Sequence, residues 1–515
     1  MKRLIPVTLA AAVFLFAASQ AADRYFKMKH RATGERITVP GRIGLNATLP
    51  SGWTTTPAGR QLASGDMILS GQVSPDGKLF AFTNTGYTRH QLHLVDLATE
   101  KEIATFPMEQ AWSGLAWAPD GKRLFVSSGA GYTGAAVLVF DRWDKEGWHE
   151  VRGGYTLHLA ARESIAVSSL VVSPNGKVLY AVNNSDNHVY AIDTHSGRGL
   201  GRLKLGDHPF SATLTKDGKT LYVTNIASAE VSVVDTSDPT ALSETAKIAT
   251  EAHPNDLVLS KDEKTLYVSC GNTNHVVALD IAGKRTLESI NIALGPKAPA
   301  GSTPNSLAIS PDGEHLYAAN ADNNTVAVIE IEERGKSKVE GFIPTGWYPT
   351  LVRVTPDNKR ILIGSGKGVG TGPNKVKRPI DDVAPAVSFQ HHGNNMNGLL
   401  SFVDAPNAKQ LSAYTKQSYE NSPYRDVLLE SAETAAATVI PRKVGEKSPI
   451  EHILYIMKEN RTYDQVLGDL PQGNGDPSLV LFGRDVTPNQ HALAEQFVLF
   501  DNLYCSGEVS QDGQP

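Results

Sequence analysis

The chain has 515 residues, of which 41% are hydrophobic and 20% charged, with a formal net charge of −5. That length exceeds one ordinary core and implies two domains, and the apolar share excludes a disordered chain. No Lys/Arg-rich block interrupts the acidic balance, so no concentrated basic face is available for a phosphate backbone and a nucleic-acid partner is excluded.

The first element is MKRLIPVTLAAAVFLFAASQAAD. Lys2 and Arg3 form a charged start, Leu4 to Ala18 an apolar stretch, and Ser19-Gln20-Ala21 a small-x-small cleavage site. This reads as a secretory signal over residues 1–21 and predicts export, to the bacterial periplasm or beyond the cell. The apolar stretch is shorter than the roughly 20 residues that span a bilayer, which argues against an uncleaved anchor, and no transmembrane segment is expected elsewhere. Cys270 and Cys505 are the only cysteines. The chain does not depend on disulfides, it has no Cys-x-x-Cys-His haem site, and whether the two cysteines pair is left open.

Next comes a repeat. SPDGKLFAFTN from Ser74 returns as APDGKRLFVSS from Ala118, SPNGKVLYAVN from Ser173, TKDGKTLYVTN from Thr215, SKDEKTLYVSC from Ser260, SPDGEHLYAAN from Ser310 and TPDNKRILIGS from Thr355. The turn residues Asp76, Asp120, Asn175, Asp217, Asp262, Asp312 and Asp357 are 42 to 55 residues apart. An alternating apolar strand precedes each turn and a second follows it, as Asp-Gly suits a hairpin. A third strand ends in an acid (Asp96, Asp141, Asp193, Asp235, Asp280, Glu330, Asp404), and a weaker fourth follows. Seven four-stranded units predict a mainly β, seven-bladed β-propeller; β-helix repeats are much shorter, and a sandwich has no such period. The innermost strand of blade one is preceded by Trp53 to Ala63, which has no blade of its own and is expected to close the ring by pairing with blade seven.

LYVTN at Leu221 to Asn225 carries a resemblance to the YVTN-repeat propeller family, over roughly residues 40–420. The resemblance implies the fold and leaves the function open. His208-Pro209, His253-Pro254, Thr303-Pro304 and Tyr348-Pro349 each begin nine residues before their turn acid and therefore ring one face of the disc. They read first as rigid turns set by proline, and second as a face open to a ligand or protein partner. Blade seven carries an insertion on that face, Lys367 to Asn397, long enough to suggest a function. Its His391 and His392 are candidate face contacts, read as solvated side chains before metal ligands.

After a linker over 421–449, ending in PRKVGEKSP, the pattern changes. IEHILYIM, from Ile450, reads as a buried strand, and TYDQVLG as a helix with a Thr462/Gln465 capping box. TPNQHALAEQ reads as a second helix capped by Thr487, with Pro488 in its first turn and Gln490 closing the box. FVLFDN reads as a second buried strand ending at Asp501. Strand, helix, helix, strand opens an α/β domain with a parallel sheet, whose ligands bind beyond the strands' carboxyl ends. Glu459 and Asn460 leave the first strand at that edge, where a carboxylate and an amide oxygen suit a hard cation. A salt bridge and helix cap is the plainer role for the pair.

These residues, from IEHILYIMKENRTYDQVLGD to LFDNLYCSGEVSQDG, resemble the start of the phosphoesterase family of bacterial acid phosphatases and phospholipases C, within the alkaline-phosphatase superfamily. The match covers about 65 residues, 450–515. It implies a hydrolase of small-molecule or lipid phosphoesters that uses a divalent cation, with Glu459 and Asn460 in the metal site, Ser510 as the nucleophile, and Asp501 and Asn502 as supporting positions. In that family the remaining Asp and His ligands lie beyond the nucleophile, and the printed chain continues for five residues after Ser510. The expectation is a truncated, alkaline-phosphatase-like α/β part, inactive by itself. The alternative is a non-catalytic extracytoplasmic propeller that binds a ligand or partner. A quinone or copper redox propeller has no motif to support it.

Overall fold

The computed structural model describes residues 27–129, 136–143, 147–155, 165–370, 396–424, 439–441, 445–505 and 507. These form two compact units, one of residues 55–421 and one joining residues up to 54 with those from 422.

The first unit is a β-propeller of seven four-stranded antiparallel sheets. Blade one runs Ile68–Val73, Leu79–Asn84, Gln91–Asp96 and Lys101–Pro107, and blades two to six repeat that order outward from the centre. The first strands of successive blades lie side by side, and that of blade seven (Trp347–Val354) lies against that of blade one, so the ring is closed.

The repeated turn has a common chemistry. Ser74 Oγ donates to Asp76 Oδ1 at 2.6 Å, that oxygen accepts the Lys78 N–H at 3.1 Å, and the Leu79 N–H donates to Ser74 Oγ at 2.9 Å. The same three bonds recur at Ser173/Asn175, Thr215/Asp217, Ser260/Asp262, Ser310/Asp312 and Thr355/Asp357. The hydroxyl bond, above all, holds Asp76, Asp217, Asp262, Asp312 and Asp357 below the usual carboxylate range. The residue after the turn acid is left-handed, as at Gly77 with φ +70°, which is why glycine recurs there. Glu263 and Asn358 take the same conformation in the two blades without it.

The core sits between blades. Ile68, Phe80, Phe82 and Val95 of blade one pack with Leu351, Leu362, Leu400 and Phe402 of blade seven, each side chain worth about 1.5–3 kcal/mol when fully buried. Closure follows the expected route: the outer strand of blade seven is Arg60–Ala63, paired with Leu399–Asp404. Arg60 is also ion-paired to Glu100 of blade one and Asp404 of blade seven. With that outer place filled, the chain after Asp404 turns into helix α1 (Ala408–Asn421) instead of a fourth strand. Thr415 of α1 accepts the Phe342 N–H at 2.9 Å, against the outer strand of blade six.

The second unit contains the short hairpins Lys27–Lys29/Arg36–Thr38 and Gly41–Ile43/Asn46–Thr48, helix α2 (Tyr463–Leu467), a 3₁₀ turn Pro477–Leu479 and helix α3 (Pro488–Gln496). Both helices were expected, and Thr462 and Gln465 close the α2 capping box reciprocally. Two expectations are corrected. Residues 450–457 and 497–502 are not strands, and Ile453 and Tyr455 are 86% and 80% exposed, Phe497 and Phe500 74% and 70%. A strand needs a ladder partner for its N–H and C=O groups, and among the described residues neither segment has one. Thr487 does not cap α3, nor does Gln490 close a box, because the Thr487 hydroxyl turns back to donate to Phe482 O at 2.8 Å. Among the described residues no helix is long and apolar enough to cross a membrane.

Candidate functional site

In the second unit the loop between α2 and α3 gathers part of the expected constellation. The Asn474 N–H donates to Asp501 Oδ2 at 2.9 Å and its side-chain amide to Asn502 Oδ1 at 3.1 Å. His30, from the N-terminal hairpin, meets the same Asp501 oxygen at 2.7 Å. Arg31 completes the seam: its N–H donates to Asn474 Oδ1 at 2.7 Å and its guanidinium to the carbonyls of Gly475 and Gly468. Burial pushes the Asp501 carboxyl up, but the bonds from His30 and the Asn474 N–H outweigh it and hold the group below its ordinary range. It is a carboxylate at neutral pH. Gly473 packs closely here, where a Cβ would meet the Tyr463 hydroxyl.

Glu459 and Asn460 lie on an exposed segment ahead of α2. Among the described residues the hydrogen bonds of Asp501 and Asn502 go to His30, Asn474, Tyr504 and each other, not to Glu459 or Asn460. A carboxylate and an amide oxygen open to water suit a hard cation, yet two ligands do not fill a coordination shell. Among the described residues the one group of three convergent ligand atoms is Asp312, Glu314 and His315, on a propeller turn, where Asp312 already serves the turn bonds. Ser510, His391 and His392 lie outside the described residues.

Sequence reasoning missed a second pair in this unit. His491 of α3 is fully buried, with Nε2 at 2.8 Å from Asp469 Oδ1 and Nδ1 at 2.8 Å from Thr487 O. Its bond is the main reason the Asp469 carboxyl lies below its usual range. The signal was present as a polar ring inside an otherwise plain helical segment. His30 and Arg31 gave no signal, because their partners lie more than 400 residues away.

On the propeller, the residues before the expected prolines share one conformation: His208, His253, Thr303 and Tyr348 all have φ between +50° and +62°. Met67, nine residues before Asp76, does too (φ +48°), although no proline follows it. Left-handed backbone is costly for such side chains, at about 1–3 kcal/mol each, and hydrogen bonds hold it. The His208 N–H donates to Asn187 Oδ1 at 3.0 Å and the Tyr348 N–H to Asn324 Oδ1 at 2.9 Å. Those asparagines occupy turns between second and third strands, so both sets of connections share a face, as the repeat implied. At the root of the insertion, Lys367 is buried with Nζ 4.9 Å from the Trp347 ring centre and 5.4 Å from that of Tyr348.

The family model described as Lactonase, 7-bladed beta-propeller, matches residues 152–257 and 192–367. Among solved structures, the chain is similar to Kuenenia stuttgartiensis hydrazine synthase at 20% identity and a TM-score of 0.47, covering 58% of this chain and 92% of that one. It is also similar to the structure of U3-55K at 12% identity and a TM-score of 0.50, covering 66% of this chain and 98% of that one. At 12% identity the likeness to U3-55K is one of fold alone. No curated protein matches the sequence.

Proposed function

We propose that this protein is an exported phosphoesterase: a β-propeller joined to a metal-dependent part, beginning near residue 450, that hydrolyses phosphoric esters. The observation that carries this reading is the pair of phrases KENRTYD and FDN. The first sets Glu459 and Asn460 side by side; the second supplies Asp501 and Asn502, which Asn474 gathers. Ser510 Oγ attacks phosphorus, the new O–P bond forms as the ester P–O bond breaks, and the alcohol leaves with a proton. Water then releases inorganic phosphate and restores the serine. A divalent cation, for which Glu459 and Asn460 would be ligands, supplies charge for the phosphoryl oxygens and acidifies the attacking hydroxyl. The substrate class is a small-molecule or lipid phosphoester.

The test is hydrolysis of p-nitrophenyl phosphate by the protein expressed from its whole reading frame. Ser510→Ala lowers turnover by several orders of magnitude, and undiminished turnover in that variant rejects the assignment.

A second reading, a propeller that binds without catalysis, is favoured by its open, polar central channel. The name of the matching family model suggests lactone hydrolysis there. Among the described residues the one carboxylate lining the channel, Asp256, has both oxygens engaged in hydrogen bonds between blades.

A further inference from the structure

The innermost strands of the seven blades enclose a channel cavity of about 640 Å³, within the range of small-molecule sites. Because alternate residues of a strand share a face, its lining is legible as layers counted back from each turn residue. Six positions before the turn stand Ser70, Gly114, Ser169, Ser211, Asp256, Ser306 and Leu351; four before it stand Gln72, Ala116, Val171, Thr213, Val258, Ala308 and Arg353. All of them line the cavity. Seven blades built on one pattern thus contribute a single acid and a single base to these two layers.

The two charges differ in how they are satisfied. Asp256 Oδ1 accepts the Ser211 hydroxyl at 2.8 Å and the Leu257 N–H at 2.9 Å, and Oδ2 accepts the Leu307 N–H at 2.9 Å. It braces blades four, five and six. Arg353 uses one nitrogen only: Nη1 donates to Ser306 Oγ at 3.1 Å and to Val352 O at 2.7 Å. Among the described residues Nε and Nη2 have no hydrogen-bond partner, and Arg353 makes no ion pair. Ser306 Oγ accepts that bond and the Val352 N–H at 3.3 Å, which leaves its own hydroxyl proton to give. Arg353 is half-buried; desolvation lowers its proton affinity while the Asp256 carboxylate of the neighbouring layer raises it, and an arginine stays charged. An arginine fork with open donors, beside a serine hydroxyl and a neutral, partly apolar layer, matches a planar or tetrahedral oxyanion.

We propose that the central channel of the propeller is a binding site for a small molecule bearing one carboxylate or phosphate group, anchored by Arg353 and Ser306. The site is independent of Ser510 and of the phosphoesterase reading.

The experiment is isothermal titration of the full chain with inorganic phosphate and, separately, with acetate, in both the wild-type and Ser510→Ala backgrounds. The expected result is saturable 1:1 binding of at least one of them, equal in the two backgrounds; which one binds separates a phosphate from a carboxylate ligand. Arg353→Gln weakens it at least tenfold and Arg353→Lys less. Should Arg353→Gln fail to fold, Thr213→Glu, which sets a carboxylate in the same layer as the guanidinium, abolishes binding while the thermal transition persists. Absence of saturable binding, loss of it in Ser510→Ala, or wild-type binding by Arg353→Gln or Thr213→Glu overturns the proposal.

Discussion

Leu62 stands opposite Leu400 in the outer ladder of blade seven, so a residue from the start of the propeller completes a sheet whose other three strands come from its end. Leu400 is fully buried, and Leu62 packs against the core shared by blades one and seven. Replacing Leu62 with Asp sets a charge against that core and removes the pairing's apolar support. The expected loss is about 3 kcal/mol and a fall of several degrees in Tm. Ile103→Asp, at a 54% exposed position on the outer strand of blade one, leaves Tm within a degree. Calorimetry of both variants checks this, and equal shifts count against closure as the stabilising contact.

Stability should fall in acid partly through Glu102. The bond from His93 Nδ1, 2.6 Å away, holds its carboxyl below the ordinary 4.5, against the upward push of burial and with help from Ser64. A depressed carboxylate contributes stability that is fully present above about 4.5 and is lost as pH falls through its lower folded value. The Tm difference between wild type and Glu102→Gln therefore shrinks as pH falls below about 4.5. A difference unchanged at pH 3 rules this linkage out.

The cation assignment predicts that a chelator abolishes phosphoester hydrolysis and that added divalent metal restores it. Asn460→Ala raises the metal concentration giving half activity by roughly tenfold, the scale of losses around bound metals, with full recovery in excess. Metal dependence identical to wild type removes Asn460 from the site.

What the sequence disclosed follows from how local each signal is. The blades were legible because one hydroxyl, one carboxylate and one left-handed residue recur within a few positions, as at Ser74, Asp76 and Gly77. The strained entry residues were found where proline marked them and missed at Met67, where it did not. Helix α1 went unread because its cause is distant: the strand Arg60–Ala63 already holds the outer place in blade seven. The apolar runs at 450–457 and 497–502 have strand composition, but composition does not supply a ladder partner. Of the expected site, Asp501 and Asn502 meet Asn474, while the contribution of His30 crosses the whole chain and could not be read from spacing.

The phosphoesterase reading rests on covalent attack by one serine, and rapid acid quenching tests it most directly. The protein from its whole reading frame is mixed with a phosphorus-labelled phosphoester, quenched within the first turnovers, digested and mapped by mass spectrometry. The account predicts phosphate on the peptide containing Ser510, discharged on a chase with unlabelled substrate and absent from Ser510→Ala. Turnover with no phosphate at Ser510, or with label on another residue, contradicts it.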